Sequence, residues 1–576
     1  MKTSVAAALM PALLSAGVGW YAVDPMAETR FMPHAAPEGG EKGGVIRMIA
    51  AKGEYEPGSF VLTADEDLGK VAVTIGELKT DNGKVFPKEK LDLRMVKVWY
   101  QCGTSWWSYF SDAKMKLCPE LLLHDEDLVK VDEKKGWNYA RITEPDGRVW
   151  YRWLNPPRAI DSRTEDVGDI GNPYFNRDTF QCLKPNFRDA DSFAGVTLKK
   201  GVYKQLWITA NVTKDVPAGV YRGVIRAKAA ERTASVQQQE IPFALRVLDF
   251  ELPEPCTYLD CNRRFYTRFN QYLSLNHFAA ANGNDRELAE KQFITVLKNI
   301  GEHGCRLPSY RDRWTHPEWG IAAGLDFAHP LYEAGSMQLG EKVSMRYHAR
   351  RMREKLERTI GWHNPILEWG DEYGLGTLIG IRDMVRVYSE TGFKFLTNSQ
   401  AGYEGGYYMA DAWRPPYTPD HASFEPAFRV SRLGDCDLGW YANQHVGVEN
   451  PAFNRRQYGY GPYRAGLTFS GNYALNIQGW NDLRGFPYRP MMTFYGVYNG
   501  CLDTIAWEGL REGIDDIRYA TLLQRLAQPL VKSKKLDARY AAKKALALLA
   551  NADKDDMDLT TLRLEMIRHI LKLRSF

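Results

Sequence analysis

The first half of the chain alternates apolar and polar residues in short runs. Examples between Val45 and Leu252 are VIRMIAAKGEYEPGSFVLT, KVAVTIGELKT, KQLWITANVT and GVYRGVIRAKA. Alternation with a period of two, broken by Gly, Pro and Asp, is typical of antiparallel strands. We therefore predict a β-sandwich domain over residues 23–252. Residues 106–193 replace this pattern with aromatic and charged segments, so we expect a long loop insertion there, and it is a candidate cover for a site on the next domain.

A different rhythm begins after ELPEPC, from Glu251 to Cys256, whose two prolines suit a linker. Helical patterns now alternate with short apolar strands, and this order is typical of βαβ units. Counting about eight strands predicts a (β/α)8 TIM-type barrel over residues 253–515. The later strand candidates are DLGWYAN from Asp437, YALNIQGWND from Tyr473 and CLDTIAWEG from Cys501. Residues 516–576 are rich in Ala, Leu, Lys and Arg at helical spacing, so we expect a short C-terminal helical segment.

The N-terminus, MKTSVAAALMPALLSAGVGWYA, contains an early lysine, an apolar run and small residues from Ser15 to Gly17. This layout is typical of a secretory signal peptide, so we expect residues 1–22 to be removed and the protein to be periplasmic or secreted. The alternative is an apolar N-terminal strand or helix. The run is shorter than the ~20 residues that a spanning helix needs, so we expect no membrane span.

Charge and motifs exclude several classes of partner. The 75 basic and 71 acidic residues are spread along the chain, with a formal charge of +4, so we expect no nucleic-acid partner. The eight cysteines fit no zinc spacing, and the eleven histidines form no spaced ligand cluster. No phosphate loop, dinucleotide fingerprint, HExxH motif, EF-hand loop or GxSxG elbow is present. We expect no cofactor and no metal, and the oligomeric state stays open.

The segment ILEWGDEYG, from Ile366 to Gly374, places two adjacent carboxylates after a short apolar run. Barrel active sites lie at the C-terminal ends of the strands, so Asp371 and Glu372 are the candidate catalytic pair. Trp369 and Tyr373 flank the pair and are candidate sugar-binding residues, because aromatic rings stack on sugar faces. A solvated acidic pair in a loop is the alternative.

Stretches in three parts of the chain, in order, resemble the glycoside hydrolase family 123 enzymes and the related domain-of-unknown-function 4091 group. KGEYEPGSFVL and LWITANVTKDVPAGVYRGVI are similar to that family's N-terminal β-domain. GDEYG is similar to its Asp-Glu pair, although Tyr373 stands where the family pattern often has proline. AWEGLREGIDDIRYATLL resembles the segment that closes its barrel.

The resemblance implies an exported hydrolase of N-acetylhexosaminides, similar to β-N-acetylgalactosaminidases, that uses the substrate's own acetamido oxygen as nucleophile. In that scheme Asp371 stays ionised and orients the acetamido group. Glu372 protonates the leaving oxygen and later acts as base, with its pKa raised by the neighbouring charge. The substrate would be a glycan, as an oligosaccharide or a glycoconjugate.

Further residues are candidates for binding the sugar. They follow predicted strand ends or stand in loops after them, and they are Tyr403, Trp440, Asn443, Trp480, Asn481 and Asp482. The two tryptophans are equally suited to walls of a sugar pocket and to buried barrel packing. Tyr403 is a candidate donor to the acetamido oxygen.

Rival mechanisms remain open. Glu508 ends a predicted strand and pairs with Glu372 as acid and nucleophile or base if the substrate lacks an acetamido group. Arg263 and Arg264 suit an anionic sugar substituent such as a sulfate or a carboxylate. The structural alternative for Glu508 is that it braces the barrel's closing turn together with Arg511. The structural alternative for Arg263 and Arg264 is a surface or interdomain ion pair. The alternative of a different class is a carbohydrate-binding protein without catalysis.

Overall fold

The structure is a computed structural model that describes most of the chain from residue 17 onward. The described range is 17–576, with gaps at 102–115, 155–185, 230–237, 271–273, 307–309, 311–312, 326, 328–331, 337–340, 364, 372–378, 399–405, 412–436, 444–449, 474–479, 481–492 and 553–556. The protein has mixed α and β structure, as predicted. No helix within this range is long and apolar enough to cross a membrane.

Two mainly antiparallel sheets form the N-terminal half. The first has the order β2-β1-β4-β12-β6-β7, with β1 Val18–Val23, β2 Glu41–Lys42, β4 Glu54–Ala64, β6 Leu91–Gln101, β7 Lys116–Leu123 and β12 Lys204–Val212. The second has the order β11-β5-β13-β14-β3, with β3 Ile46–Lys52, β5 Gly69–Ile75, β11 Val196–Leu198, β13 Gly219–Ala229 and β14 Gln239–Glu251. Apolar side chains from both sheets join one core, because alternate residues of each strand point inward. In β13, for example, Tyr221 and Ile225 are buried, whereas Arg222 and Arg226 are exposed.

The predicted loop insertion contains strands. A three-stranded antiparallel sheet is formed by β8 Val129–Asp132, β9 Trp137–Thr143 and β10 Val149–Trp153, and β7 also falls inside residues 106–193. Asn138, Ala140 and Ile142 of β9 are buried on one face of this sheet. The loop prediction is wrong for these residues, because short alternating runs were masked by the many aromatic and charged neighbours.

The second half contains a parallel sheet of seven described strands. Its order is β15-β21-β20-β19-β18-β17-β16, with β15 Tyr266–Asn270, β16 Tyr332–Ser336, β17 Pro365–Asp371, β18 Lys394–Asn398, β19 Gly406–Asp411, β20 Leu438–Asn443 and β21 Phe469–Tyr473. Strands that follow each other in sequence are neighbours from β16 to β21, and β15 pairs with β21. Within the described residues the sheet is open between β15 and β16, so an eight-stranded closed barrel is not established.

Helices surround this sheet and end the chain. They are α1 Leu275–Ala281, α2 Arg286–Glu302, α3 Pro317–Ala322, α4 Lys342–Thr359, α5 Arg382–Glu390, α6 Pro451–Arg455, α7 Gly461–Arg464, α8 Ile505–Leu530, α9 Leu536–Asn551 and α10 Leu559–Leu573. Residues Arg456–Tyr460 form a π-helical turn between α6 and α7.

The strand predicted from CLDTIAWEG is only partly present. Phe494–Val497 (β22) and Gly500–Asp503 (β23) form an antiparallel hairpin outside the parallel sheet. The side chain of Thr504 then accepts a hydrogen bond from the backbone N–H of Trp507 and caps α8. The C-terminal helical segment therefore begins at Ile505 rather than at residue 516, because this cap stops the extended run.

Strand β1 overlaps the predicted signal peptide. Its residues pair with β4 from Val18↔Ala64 to Val23↔Ser59. Residues 1–16 lie outside the described range, and cleavage stays a prediction. If the leader is removed, the sheet requires the cut to precede Val18, since a cut after residue 22 would leave that edge of β4 unpaired.

Candidate functional site

The parallel sheet brings polar residues to one edge. All seven strands run in the same direction, so their C-terminal ends lie at the same edge of the sheet. In sequence order their last residues are Asn270, Ser336, Asp371, Asn398, Asp411, Asn443 and Tyr473. Each of these residue types has a side chain that can donate or accept hydrogen bonds. This C-terminal edge is therefore the candidate functional site.

Asp371 stands at the end of β17, where the sequence predicted it. Its Cα pairs with that of Asn398 of β18, after a register shift that separates this pair from Glu368. Such irregularities occur next to active sites, where they redirect side chains. Trp369 lies in the same strand, whereas Glu372 and Tyr373 lie outside the described residues. The geometry of the Asp-Glu pair therefore stays a prediction.

Of the candidates on later strands, some lie within the described residues and others lie outside them. Trp440 and Asn443 lie in β20, where Asn443 is the last residue and pairs with Tyr473 of β21. Tyr403, Asn481 and Asp482 lie outside the described residues. The sequence reading missed Asn270, Asn398 and Asp411. The missed signal was an amide or carboxylate residue at the end of a short stretch that contains aromatic residues.

Trp480 is a core residue in this structure. It is 2% exposed, and its Nε1 donates to the carbonyl oxygen of Gly496 at 2.9 Å. Its ring lies 4.9 Å from that of Tyr495 and 5.0 Å from that of Phe187, centroid to centroid. An enclosed indole cannot present a face to a sugar. The prediction that Trp480 forms a wall of the sugar pocket is therefore wrong, and its alternative, buried packing, is correct. The Phe187 contact also joins the insertion to the segment after β21.

Glu508 and Arg264 lie apart from the C-terminal edge. Glu508 is in the first turn of α8, 2% exposed, and it pairs with Arg511. Arg264 pairs with Glu254 at 2.9 Å. Arg264 and Arg511 line one cavity together with Tyr266, the first residue of β15. They therefore lie where β15 begins, and the structure does not bring Glu508 to Asp371.

That cavity has a volume of about 340 Å³ and lies between the two halves of the chain. Gly53 and Tyr55 line it from the sandwich side, opposite Arg306 and Arg518 from the other half. Several of its charges are paired within the lining: Arg306 pairs with Glu254 at 2.9 Å and Arg518 pairs with Asp515 at 2.6 Å. We interpret it as a polar seam between domains rather than as the catalytic pocket, because it lies at the start of β15.

The acidic residues of the WEGLREGIDD segment belong to a buried ionic cluster. Asp516 of α8 accepts two hydrogen bonds from Arg455, and Arg563 of α10 contacts both Asp516 and Glu512. Burial opposes ionisation, yet Arg455 and Arg563 hold the pKa of Asp516 below its usual value. Burial raises the pKa of Glu512 to about 7.

The same cluster reaches the sandwich through Glu54 of β4. Its Oε1 accepts hydrogen bonds from the hydroxyl of Tyr519 and the backbone N–H of Ala51. Burial, increased by the nearby charge of Asp515, raises the pKa of Glu54 to about 8. The segment therefore joins α6, α8, α10 and β4 and has a structural role.

Two glycines of this segment allow close helix packing. A Cβ on Gly509 would overlap the backbone of Pro451, and a Cβ on Gly513 would overlap the carbonyl of Arg455. Since both obstacles are backbone atoms of α6, they cannot rotate away. The EGLREG spacing is thus required by the contact of α8 with α6.

Three buried side chains form a possible metal donor set. One ligand atom each from His303, Asp503 and Glu508 lie within 4.8 Å of one another. However, Arg94 donates to Asp503 at 2.7 Å, and Arg511 pairs with Glu508. A divalent cation would have to displace both guanidinium groups from a buried position. We therefore interpret the set as an ionic network.

Comparison with known structures places this geometry in a known fold. No protein-family model matches the chain, and no curated protein matches it. A family 123 glycoside hydrolase from Clostridium perfringens aligns over 97% of this chain and 98% of its own, with a TM-score of 0.60 and 13% identity. The two chains share one fold. The family resemblance drawn from the sequence is thereby confirmed at the level of the fold.

A second structure, that of AvmM, which catalyses macrocyclization in alchivemycin A biosynthesis, has a TM-score of 0.14 and 12% identity. It covers 36% of this chain and 85% of its own. It carries no argument about this protein.

Proposed function

We propose that this protein is a glycoside hydrolase whose active site lies at the C-terminal edge of the parallel sheet. The observation that carries the proposal is the position of Asp371, the last residue of β17, beside strands that also end in polar residues. The fold shared with a family 123 glycoside hydrolase supports it. In parallel α/β architectures ligands bind at this edge, where the loops have room to present side chains.

The proposed architecture is a (β/α)8 barrel closed by one more strand. The open position lies between β15 and β16, which are separated in the chain by α1, α2 and α3. A strand there would extend the sequential order around the whole barrel. This arrangement encloses the C-terminal edge as a ring around the substrate.

The proposed chemistry is substrate-assisted hydrolysis of an N-acetylhexosaminide in an exported enzyme. Asp371, ionised, holds the acetamido N–H and stabilises the positive charge that develops as the acetamido oxygen attacks C1. Glu372 gives its proton to the leaving oxygen and then takes a proton from the attacking water. The substrate class is the glycan of a glycoconjugate, since the relative in fold is described for glycolipid glycan hydrolysis.

The position of Glu508 supports this scheme over the rival acid and nucleophile pair. Glu508 is buried against Arg511, which lies where β15 begins, whereas its partner in the rival scheme, Glu372, follows in sequence directly after Asp371, the last residue of β17. Two carboxylates at opposite ends of a sheet cannot act on one glycosidic bond, which needs separations of roughly 5 to 10 Å.

Leaving-group dependence tests the role of Glu372. Glu372→Gln should lower turnover of a methyl N-acetyl-β-galactosaminide about 10²- to 10⁴-fold, and turnover of the 2,4-dinitrophenyl glycoside much less, because a good leaving group needs little protonation. Asp383→Asn, an exposed residue of α5 paired with Lys342, is the control and should leave both rates unchanged. Equal losses on both substrates would contradict the assignment of Glu372 as the acid. If wild type binds the glycoside without cleaving it, the non-catalytic binding protein is the correct reading.

A further inference from the structure

Helix α9 and the turn before it carry an unusual concentration of positive charge. Residues 532–544 contain six basic side chains and one acidic side chain, a net charge of +5, whereas the whole chain has a net charge of +4. The basic residues are all exposed, and they are Lys532, Lys534, Lys535, Arg539, Lys543 and Lys544. We call these residues, with Leu536 and Tyr540, the basic face of α9. The net charge of the whole chain does not reveal this local concentration of positive charge.

Among the residues that the structure describes, no carboxylate pairs with the basic face. None of its six cations forms an ion pair with any of these residues, and the Nζ of Lys544 lies 5.0 Å from the centroid of the Tyr540 ring. The basic helix α4 differs, since Lys342, Arg346 and Arg353 pair with carboxylates of α5 or of α4 itself. The positive charge of the basic face is therefore available to an external anionic partner.

Two large apolar side chains stand among the cations. Leu536 is 66% exposed and Tyr540 is 61% exposed, and they are four residues apart on one side of the helix. The opposite side of α9, with Ala541, Ala542 and Ala545, is buried in the main apolar core. The outward side is thus both cationic and partly apolar.

We propose that the basic face of α9 binds the surface of an anionic lipid bilayer. Clusters of four to eight basic residues on a surface helix attract anionic headgroups, and exposed Leu and Tyr insert between them. Five of the six cations are lysines, which act as flexible point charges rather than as bidentate readers of one anion. A convex helix side with these properties fits a fluid, flat, charged surface better than a single polymer chain held in a groove.

The position of the face decides how the enzyme would sit. The C-terminal part of α8, which leads into α9, bonds to the residues that precede β15: Gln524 donates to the carbonyl of Tyr258, and Arg525 to that of Cys261. Because α9 comes directly after α8, the basic face lies on the side of the sheet where β15 begins. A bilayer bound there leaves the C-terminal edge, with Asp371, directed toward the aqueous phase. This inference does not depend on the catalytic mechanism.

Vesicle co-sedimentation of the full chain tests the proposal. Vesicles of phosphatidylcholine with 30% phosphatidylglycerol should bind the protein at low salt, and pure phosphatidylcholine vesicles should not. Raising NaCl to 0.5 M should release it. The triple variant Lys534→Glu/Lys535→Glu/Lys543→Glu should lose binding, because each unit of charge changes affinity about five-fold. Leu536→Ser/Tyr540→Ser should weaken binding several-fold with no change in charge.

The matched control is on α4. Arg346→Glu/Arg350→Glu/Arg351→Glu makes the same change of charge on another exposed helix and should retain most of the binding. Far-UV circular dichroism confirms that each variant is folded. Equal binding to both kinds of vesicle, or equal losses in the α4 and α9 variants, would overturn the proposal. The proposal would also be overturned if the protein bound soluble polygalacturonate more tightly than vesicles and Leu536→Ser/Tyr540→Ser left that binding unchanged. This result would indicate an acidic polysaccharide as the partner.

Discussion

Glu54→Gln should make the protein more stable than wild type at alkaline pH. The carboxyl of Glu54 is 2% exposed, its Oε2 has no hydrogen-bond partner among the described residues, and burial raises its pKa to about 8. The native state therefore keeps its proton at pH 6, whereas the unfolded chain, with a pKa near 4.5, has released it.

The sign and size of the effect follow from proton linkage. Between pH 4.5 and 8 the native state binds more protons than the unfolded state, so stability falls as pH rises through this range. A difference of a few pKa units at 1.36 kcal/mol per unit corresponds to about 5 kcal/mol at most above pH 8. Glutamine is nearly isosteric with the protonated acid and does not titrate, so the variant avoids this loss.

Urea unfolding followed by circular dichroism at pH 5 and pH 9 measures the effect. Wild type should lose more stability than Glu54→Gln between these two pH values, by roughly 2 to 5 kcal/mol. Glu240→Gln, an exposed residue of β14 paired with Arg226, is the control and should follow wild type. Parallel pH dependence of Glu54→Gln and wild type would refute the reasoning.

Three further changes test the structure around the site. Arg563→Met removes the cation that pairs with the buried Glu512 and should cost about 3 to 5 kcal/mol in urea unfolding, whereas Arg568→Met, at an exposed ion pair, should cost under about 1 kcal/mol. Equal costs would count against the buried cluster. Gly513→Ala forces a Cβ into backbone and should abolish soluble expression, and Gly380→Ala, with open space around it, should not; normal expression of the former would disprove the close helix contact. Trp480→Ala should lower the free energy of unfolding by about 3 to 5 kcal/mol. A raised KM with unchanged stability would instead indicate that Trp480 forms a wall of the sugar pocket.

The sequence predicted those elements whose local pattern agrees with their burial. Strand β13 alternates inward apolar and outward charged residues, and the ends of β17 and β20 were placed by an apolar run before Asp371 and near Trp440. The short strands of the insertion were missed because aromatic residues occupy both sides of the alternation. The start of α8 was missed because the apolar run before it resembles a strand, and only the cap of Thr504 distinguishes the two.

The rest depended on contacts between distant parts of the chain. Glu508 appeared to end a strand, and its pairing with Arg511 was the structural alternative, whereas its contact with His303 appears only in the folded protein. Trp480 had equal reasons to be a wall or a core residue, and Phe187, nearly three hundred residues earlier, decides between them. Asn270, Asn398 and Asp411 become candidates only when the strand ends are aligned at one edge.

Substrate-assisted catalysis is tested most directly by the hydrolysis of four 4-nitrophenyl β-glycosides, those of N-acetylgalactosamine, N-acetylglucosamine, galactose and glucose, by wild type and Asp371→Asn. We expect release of nitrophenol from an N-acetyl sugar alone, and its loss by about 10²-fold or more in a normally folded Asp371→Asn. Cleavage of galactoside or glucoside at a comparable rate, or full activity of Asp371→Asn, would contradict substrate-assisted catalysis at the end of β17.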